Sequence, residues 1–579
     1  MDKKHLVLMG PPGAGKTTTS KLLGKLLNIP VFDIDDDLLE VVWNMPVSEK
    51  LSQVGEEGFI QAEGKACLEL RMESSEPTLI ALSGSVPLHR DAIENIRKQG
   101  VVIYLDIPST IIEKRLHEMK VDRIVGMKEG QTLADLLDYR KTFYEQFFDV
   151  RVACSVAQPV EEVAQRVVNA WNLYRNVNGE QDYVSTRGGL LDAGVSFSHV
   201  VTKGLALDGG LYVPRVLQSC SLNELASMAL LKSYQDVALR VLEKFPLGTE
   251  LTSQELRKMI DTTYSTFSHP SVVPLSEKIS PEKHQYHIEL FHGPTAAFKD
   301  VALQLVPKLF VHAKNQSEEL KNSKFLILTA TSGDTGVSTM EGYKSEAEAG
   351  VSVLVLYPQG GVSELQERQM LCSQTENIRA VSVKGNFDTC QTIVKEIFSD
   401  RALATELENT FGLRLSSANS INWARIIPQV VYYVTSYLEL YKRSVIKLTE
   451  PVDIVVPSGN FGNLLSAIFA WKIGLIYVNK FICASNENCI LADFVKTGIY
   501  DIRERTLQKT TSPSIDILVS SNIERLLYLI CNNPTQVAQY MKQLSEEKCF
   551  EVSPEIKEFL QTKFDSCTAS ESQVAQTIN

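Results

Sequence analysis

No window of this chain approaches the ~18 uninterrupted apolar residues that a membrane-spanning helix needs. Positive charge is also scarce. Against 70 acidic residues stand 58 Lys and Arg, a net charge of −12, and no dense basic run interrupts the pattern. Such a chain is a poor general binder of nucleic acid, whose phosphates demand clustered cations. The ten cysteines never fall into a C-x-x-C pair, so a zinc ribbon or disulfide scaffold is excluded. Their scatter suits a reducing compartment, cytoplasmic or mitochondrial. Low-complexity segments and internal repeats are absent. Hydrophobic residues make up 44% and charged residues 22%, which excludes a disordered, collagen-like or coiled-coil chain. The start, MDKKHLVLMGPPG, has an apolar run too short for a signal peptide and reads instead as a first strand. At ~150 residues per domain, 579 residues allow several domains, or two of which one is large.

What is present begins with a phosphate-binding pattern. Leu6–Met9 reads as a buried strand, and Gly10, Gly13, Gly15, Lys16 and Thr17 fit G-x-x-x-x-G-K-[ST]. A helical stretch with Leu22, Leu23, Leu26 and Leu27 on one face follows, and Thr18 falls in its first turn. Glycines let the backbone wrap a phosphate, and N–H groups at the helix start point at the anion. Lys16 would neutralise the β/γ-phosphates of ATP and Thr17 would hold Mg²⁺. The second strand is expected over Val31–Asp35, with Asp33 and Asp35 projecting on one side. Asp33 could reach the metal shell and Asp35 a polar substrate, although the acidic run 35–37 equally suits the first turn of a helix. Further strands are expected at Leu79–Leu82 and Val101–Leu105, giving a parallel α/β unit over residues 1–172.

The strand–loop–helix, the Asp-x-Asp, the run Val54–Phe59, Asp122-Arg123 and Arg140…Tyr144 resemble shikimate kinase. The resemblance implies that Arg123 lies in a lid over ATP and that Arg140 faces the substrate. Two positions depart from it. Ile60 stands where the family has a carboxylate-gripping arginine, and Ser83-Gly84-Ser85 replaces a triple glycine. An aliphatic side chain cannot make a bidentate charge-assisted contact. The nucleotide half of the site is therefore expected to be present and the shikimate half damaged.

A polar Asn- and Gly-containing stretch at 173–182 reads as a linker. The remaining 183–579 alternate helix and strand signals, again α/β. Two Ser/Thr/Gly loops follow apolar strands: Phe325–Leu328 before Thr329–Gly336, and Val452–Val456 before Pro457–Asn463. Both are candidate anion cradles, and neither carries a P-loop lysine, so a phosphorylated cofactor or small acid fits better than a nucleotide. Each is also compatible with simple helix capping.

His292-Gly-Pro-Thr-x-x-Phe-Lys299-Asp300, Thr-Ser-Gly-Asp-Thr-Gly and Ser-Gly-Asn-Phe-Gly-Asn, in that order, resemble threonine synthase. That family uses pyridoxal 5'-phosphate on the tryptophan synthase β-like fold, PLP fold type II. The resemblance runs from Tyr183 to about Arg525, and the fusion to a kinase-like unit looks like the animal threonine synthase-like proteins. It implies that Lys299 binds pyridoxal phosphate covalently and shuttles protons. It further implies that Gly459, Asn460, Phe461 and Asn463 hold the cofactor phosphate, and that Ser332, Gly333, Asp334 and Thr335 form the loop meeting the substrate carboxylate and ring oxygen. The implied reaction is phosphate elimination from O-phosphohomoserine or a related phosphorylated amino acid, a carbon–oxygen lyase step, with ATP and Mg²⁺ at the first unit. The family's Asp-Pro-His-Thr-Ala segment and the strand whose hydroxyl meets the pyridine nitrogen are not found after Cys549, so the resemblance implies a shortened form lacking its last strands. Two other readings stay open: a catalytically inactive ligand-binding pseudoenzyme, and a small-molecule kinase with an inert PLP unit. The oligomeric state, including a homo-oligomer, stays open as well.

Overall fold

A computed structural model describes residues 4–578 except 73–75, 108, 119–131, 155–158, 176–182, 189–194, 207, 249–250, 280–283 and 318–319. Five short runs of β-branched and aliphatic residues build the first sheet: β1 (His5–Met9), β2 (Val31–Asp33), β3 (Leu79–Ala81), β4 (Gly100–Asp106) and β5 (Val150–Ala153). All pair in parallel in the order β2-β3-β1-β4-β5. β1 and β4 are buried along their whole length, which explains why they read as continuous apolar runs rather than alternating ones. Leu6 and Leu8 face one core and Val7 and Met9 the other, so helices cover both sides of the sheet.

The Val160–Arg175 helix runs past Trp171, and residues 173–175, expected in the linker, are helical. Its apolar side packs Val167 and Trp171 into the core of the first unit, and that packing outweighs the polar signal at its end. The rest of the expected linker, 176–182, lies outside the described residues.

From Tyr183 onward one continuous core is shared by two parallel sheets. A small antiparallel pair, β6 (Tyr183–Ser185) with β7 (Tyr212–Pro214), opens this unit. The first large sheet contains β8 (Lys324–Ala330), β9 (Val351–Pro358), β10 (Ile378–Val383) and β11 (Leu413–Ser416), in the order β10-β9-β8-β11. The second contains β12 (Val452–Pro457) and β13 (Val478–Ser485). Then come β14 (Ile499–Asp501) and β15 (Cys549–Glu551), paired antiparallel, and β16 (Phe564–Thr568), which joins β13 in parallel. The segment after Cys549 thus contributes a strand, and the polar residues beyond it form the Glu571–Ile578 helix. Among the described residues no helix is long and apolar enough to cross a membrane.

One close approach fixes the geometry used below. Gly342 sits in the Asp334–Tyr343 helix, and a Cβ there would collide with the carbonyl oxygen of Leu303. That carbonyl ends the short Asp300–Leu303 helix that follows Lys299. The Gly342→Ala variant should therefore force the two helices apart and destabilise the second unit by about 1–3 kcal/mol. The denaturant midpoint of that unit checks this, and an unshifted midpoint would contradict the packing.

Candidate functional sites in the two units

The loop after β1 closes over its own lysine. Gly13 and Gly15 both adopt φ of 77°, a left-handed conformation that glycine reaches without Cβ strain. Lys16 opens the Lys16–Leu27 helix, and its Nζ donates to the carbonyls of Gly10 and Pro11 at 2.9 Å each. Burial pushes its ammonium down to about 8, with Asp35 opposing and Arg140 adding to the fall. Thr17 and Thr18 are exposed on the first turn, and Thr17 Oγ1 lies 3.5 Å from Asp33 Oδ2.

The acidic pair is not arranged as two strand residues. β2 ends at Asp33, and Ile34–Leu39 forms a π-helical turn. Asp33 Oδ1 caps that turn by accepting from the Asp35 amide at 3.0 Å. Capping by a short acidic side chain competes successfully with strand extension here. Asp35 consequently points from a helix start rather than beside Asp33, and burial followed by the Asp33 charge raises its carboxyl to about 6. Arg123 and Asp122 lie outside the described residues. Arg140 is buried, with Nη1 3.4 Å from the Gly84 carbonyl, which also accepts the Tyr144 hydroxyl at 2.7 Å.

Ser83 and Ser85, read from sequence as damage, have a partner that sequence reasoning missed. Both hydroxyls donate to Glu63 Oε1, Ser85 at 2.9 Å. Glu63 lies one helical turn after Ile60 in the Val47–Glu69 helix and is fully buried. The signal available in the sequence was the pair of hydroxyls replacing glycines, which call for a buried acceptor. Burial raises the Glu63 carboxyl to about 7, partly opposed by the two serines. In the folded chain this group holds its proton to about pH 7, against an ordinary value of 4.5. Its contribution to stability is complete below the ordinary value and is lost as pH rises through about 7. The loss amounts to ~3 kcal/mol. Glu63→Gln should flatten this slope: the variant and parent unfold alike near pH 4.5, and the variant is the more stable at pH 8. Urea titrations of the first unit across that range decide it, and parallel slopes for the two chains would refute it.

In the second unit the structure brings Lys299 to the loop after β8. Its Nζ forms an ion pair with Asp334 Oδ2, and both side chains are about nine-tenths buried. Burial lowers the Lys299 ammonium while Asp334 supports it. Asp334 is pushed up by burial, but Lys299, the Ser514 hydroxyl at 2.7 Å and the Thr335 amide at 2.8 Å bring it below the usual carboxylate range. Asp334 therefore balances the lysine, and of the loop's own amides those of Gly333 and Thr335 are already engaged within the turn. Thr331 Oγ1 shapes that turn by accepting from Gly333 and Gly336 at 2.9 and 2.8 Å. Gly333 has φ 139°, and a Cβ there would strike Gln366. On the other side of Lys299, Asp300 accepts the Thr295 amide and hydroxyl at 2.8 and 2.7 Å, fixing the preceding loop.

The second cradle lies opposite. β12 leads through Ser458–Phe461 into the Gly462–Lys472 helix, and Phe461 turns left-handed with φ 61°. Gly459 packs within 3.0 Å (measured to an added Cβ) of the Ile515 backbone, so residues 513–517 roof the loop. The side-chain carbonyl of Asn463 accepts from Tyr432 and Tyr433, the latter at 2.6 Å. Asn460 is tied by its carbonyl to Asn522 Nδ2 at 3.0 Å. Two more residues line the cleft without having been singled out. Ser458 Oγ is buried with no partner among the described residues, and the same holds for Arg425 Nε. Arg425 donates Nη1 to the Ala418 carbonyl at 2.9 Å, and burial pulls its guanidinium down to about 10 against the pull of Asp334. Arg425 ends a dense Ser/Asn segment, but no motif announced a role for it.

The cleft is narrow and partly open to solvent. It joins a buried amine, two helix-starting loops, an unsatisfied hydroxyl and a buried guanidinium. This donor set fits a phosphorylated aldehyde: the amine for the carbonyl, and the 458–463 backbone with Ser458 for the phosphate.

Residues 12–172 match the shikimate kinase family and residues 182–264 the threonine synthase N terminus. Threonine synthase-like 1 of Macaca fascicularis and of Homo sapiens are each 42% identical over the whole chain and 77% of their own lengths. Threonine synthase of Saccharomyces cerevisiae is 37% identical over 69% of this chain and 78% of its own. Among solved structures, PLP-bound threonine synthase from Brucella melitensis superposes with a TM-score of 0.61 at 37% identity, covering 69% of this chain and 80% of its own. The yeast enzyme gives 0.62 at 35%, covering 69% and 79%. A P-loop unit followed by a PLP fold type II unit, matched along its entire length by those relatives, places this chain in the threonine synthase-like 1 family.

Proposed function

We propose that the second unit is a pyridoxal-phosphate-dependent phospho-lyase acting on O-phosphohomoserine or a related phosphorylated amino acid. One observation carries the reading: the Lys299 amine is held in a narrow cleft against Asp334, between two loops that each open a helix. Pyridoxal phosphate, when bound, supplies the electron sink for the carbanions that elimination requires. The chain supplies the rest. Lys299 is the covalent anchor and the group that moves protons at Cα and Cβ. Its lowered ammonium favours the neutral base, and Asp334 keeps a counter-charge beside it for the protonated form. The loop of Ser332, Gly333, Asp334 and Thr335 meets the substrate carboxylate, and Gly459, Asn460, Phe461 and Asn463 anchor the cofactor phosphate. Burial of the cleft keeps water from competing for these contacts.

The first unit, in the same reading, binds ATP with Mg²⁺ through Lys16, Thr17 and Asp33, and its acceptor is not shikimate. Ile60 offers nothing to a carboxylate, and Glu63 adds a group that repels one when ionised.

Lys299→Ala should leave the fold intact and abolish the visible absorbance that the full chain acquires with pyridoxal phosphate. In the parent, borohydride should fix a pyridoxyl adduct on Lys299, and mass spectrometry finding it on another lysine would overturn the assignment. For the first unit, Lys16→Ala should weaken nucleotide binding. The lost carboxylate contact should lower any shikimate-dependent ADP release by about 30- to 1,000-fold relative to an ordinary kinase at ~10 s⁻¹. Release near that ordinary rate would contradict the proposal.

A further inference from the structure

Two tyrosines stand behind the second cradle, and neither lines the cleft. They lie on the Ile427–Lys442 helix, whose buried side is otherwise largely apolar, with Ile427, Val430, Val431, Val434 and Leu438 all buried. Tyr432 and Tyr433 interrupt that side and are themselves 0% and 4% exposed. Side chains of adjacent helical residues diverge by about 100°. Here the two rings nevertheless lie 4.7 Å apart. Both hydroxyls donate to a single atom, Oδ1 of Asn463, the Tyr433 hydroxyl at 2.6 Å. Asn463 sits in the first turn of the Gly462–Lys472 helix and lines the cleft that holds Lys299.

A buried phenol is costly unless its hydroxyl is paired, and phenylalanine would fill the same space without that cost. Burial raises both phenols well above their ordinary value, so each hydroxyl keeps its proton and can donate. The side-chain carbonyl of an asparagine has two lone pairs, and two donors saturate it. Gln429 supports the arrangement from the same helix. Its Nε2 donates to the Arg425 carbonyl at 2.5 Å, which leaves its Oε1 facing the Tyr432 hydroxyl at 3.3 Å. With Oδ1 committed, the Asn463 side chain has only Nδ2 left to offer. That nitrogen has no partner among the described residues. One amide thus works as an acceptor toward the helix behind it and as a donor toward the cleft.

We propose that Tyr432 and Tyr433 are positioning residues that lock the Asn463 amide with Nδ2 toward the phosphate of a phosphorylated cofactor. The proposal rests on the reading of the second unit as a pyridoxal-phosphate site and adds to it two residues outside the cradle. An amide turned the other way would present Oδ1 to phosphate oxygens, which are acceptors too, and nothing would bond. The tyrosine pair removes that state. It also orders the side chain before the ligand arrives, so binding does not bear that entropic cost. Because neither phenol lines the cleft, the effect is confined to the phosphate end and leaves the Lys299 end as it is.

The test titrates the full chain with pyridoxal phosphate and with pyridoxal, which lacks only the phosphate. The ratio of the two affinities reads the phosphate contact alone. Tyr433→Phe should weaken pyridoxal phosphate about tenfold, and the chain carrying both Tyr432→Phe and Tyr433→Phe up to about 100-fold, the range for a hydrogen bond to a charged group. Pyridoxal should bind all three chains alike. A merely structural role would weaken both ligands in proportion and leave the ratio at the parent value. Asn463→Asp keeps two acceptors for the phenols but loses the donor, so it should lower the ratio at least as far as the double variant. A ratio unchanged in Tyr433→Phe, or in Asn463→Asp, overturns the positioning role. A parent that binds neither ligand, or both equally, overturns the cofactor reading and this proposal with it. A parent that favours pyridoxal phosphate, with the same preference in Tyr433→Phe, overturns this proposal alone. If the double variant fails to fold, Tyr433→Phe and Asn463→Asp decide.

Discussion

The buried pair Lys299–Asp334 organises the second unit. An ammonium and a carboxylate, each about nine-tenths buried, cannot tolerate separation at modest cost. Holding them together requires that the segment around Lys299 and the loop after β8 meet. Gly342 permits the contact by letting its helix ride on the Leu303 carbonyl, and Ser514 donates from a third segment to the same Asp334 oxygen that pairs with the lysine. Three stretches more than thirty residues apart are thereby fixed around one amine. Asp334 is committed to the lysine, so its charge is balanced within the cleft.

The first unit solves an analogous problem with different residues. Its lysine lies against loop carbonyls instead of a carboxylate, and burial again lowers the ammonium. Asp35 and Glu63 both sit above their ordinary range, which marks a pocket where negative charge is crowded and poorly solvated.

The seam between the two units extends the same logic. Arg97 reaches Ser219, the Cys220 amide donates to the Ile473 carbonyl at the end of the Gly462–Lys472 helix, and Arg151 lies on Trp471. The helices that reach the kinase-like unit carry Asn463 and Asn522 at their opposite ends.

Much of this was legible in the chain. The strand–loop–helix over residues 5–27, the two Ser/Thr/Gly loops and the singular position of Lys299 are local patterns, because backbone wrapping and helix starts are dictated by neighbouring residues. The α/β class followed from apolar runs set between helical stretches. The Asp33–Asp35 geometry was not legible, since alternation along a strand and capping of a turn use the same residues and only the competition between them decides. Nor were Glu63 and its two serines, twenty residues apart, or Arg425, whose significance is its burial beside Lys299 and Asp334. By itself the sequence determined which segments could bind phosphate and which lysine was unusual, because those properties reside in short contiguous stretches. Tertiary structure alone decided which charges are buried together, because desolvation and pairing depend on distances between residues that the chain order keeps far apart.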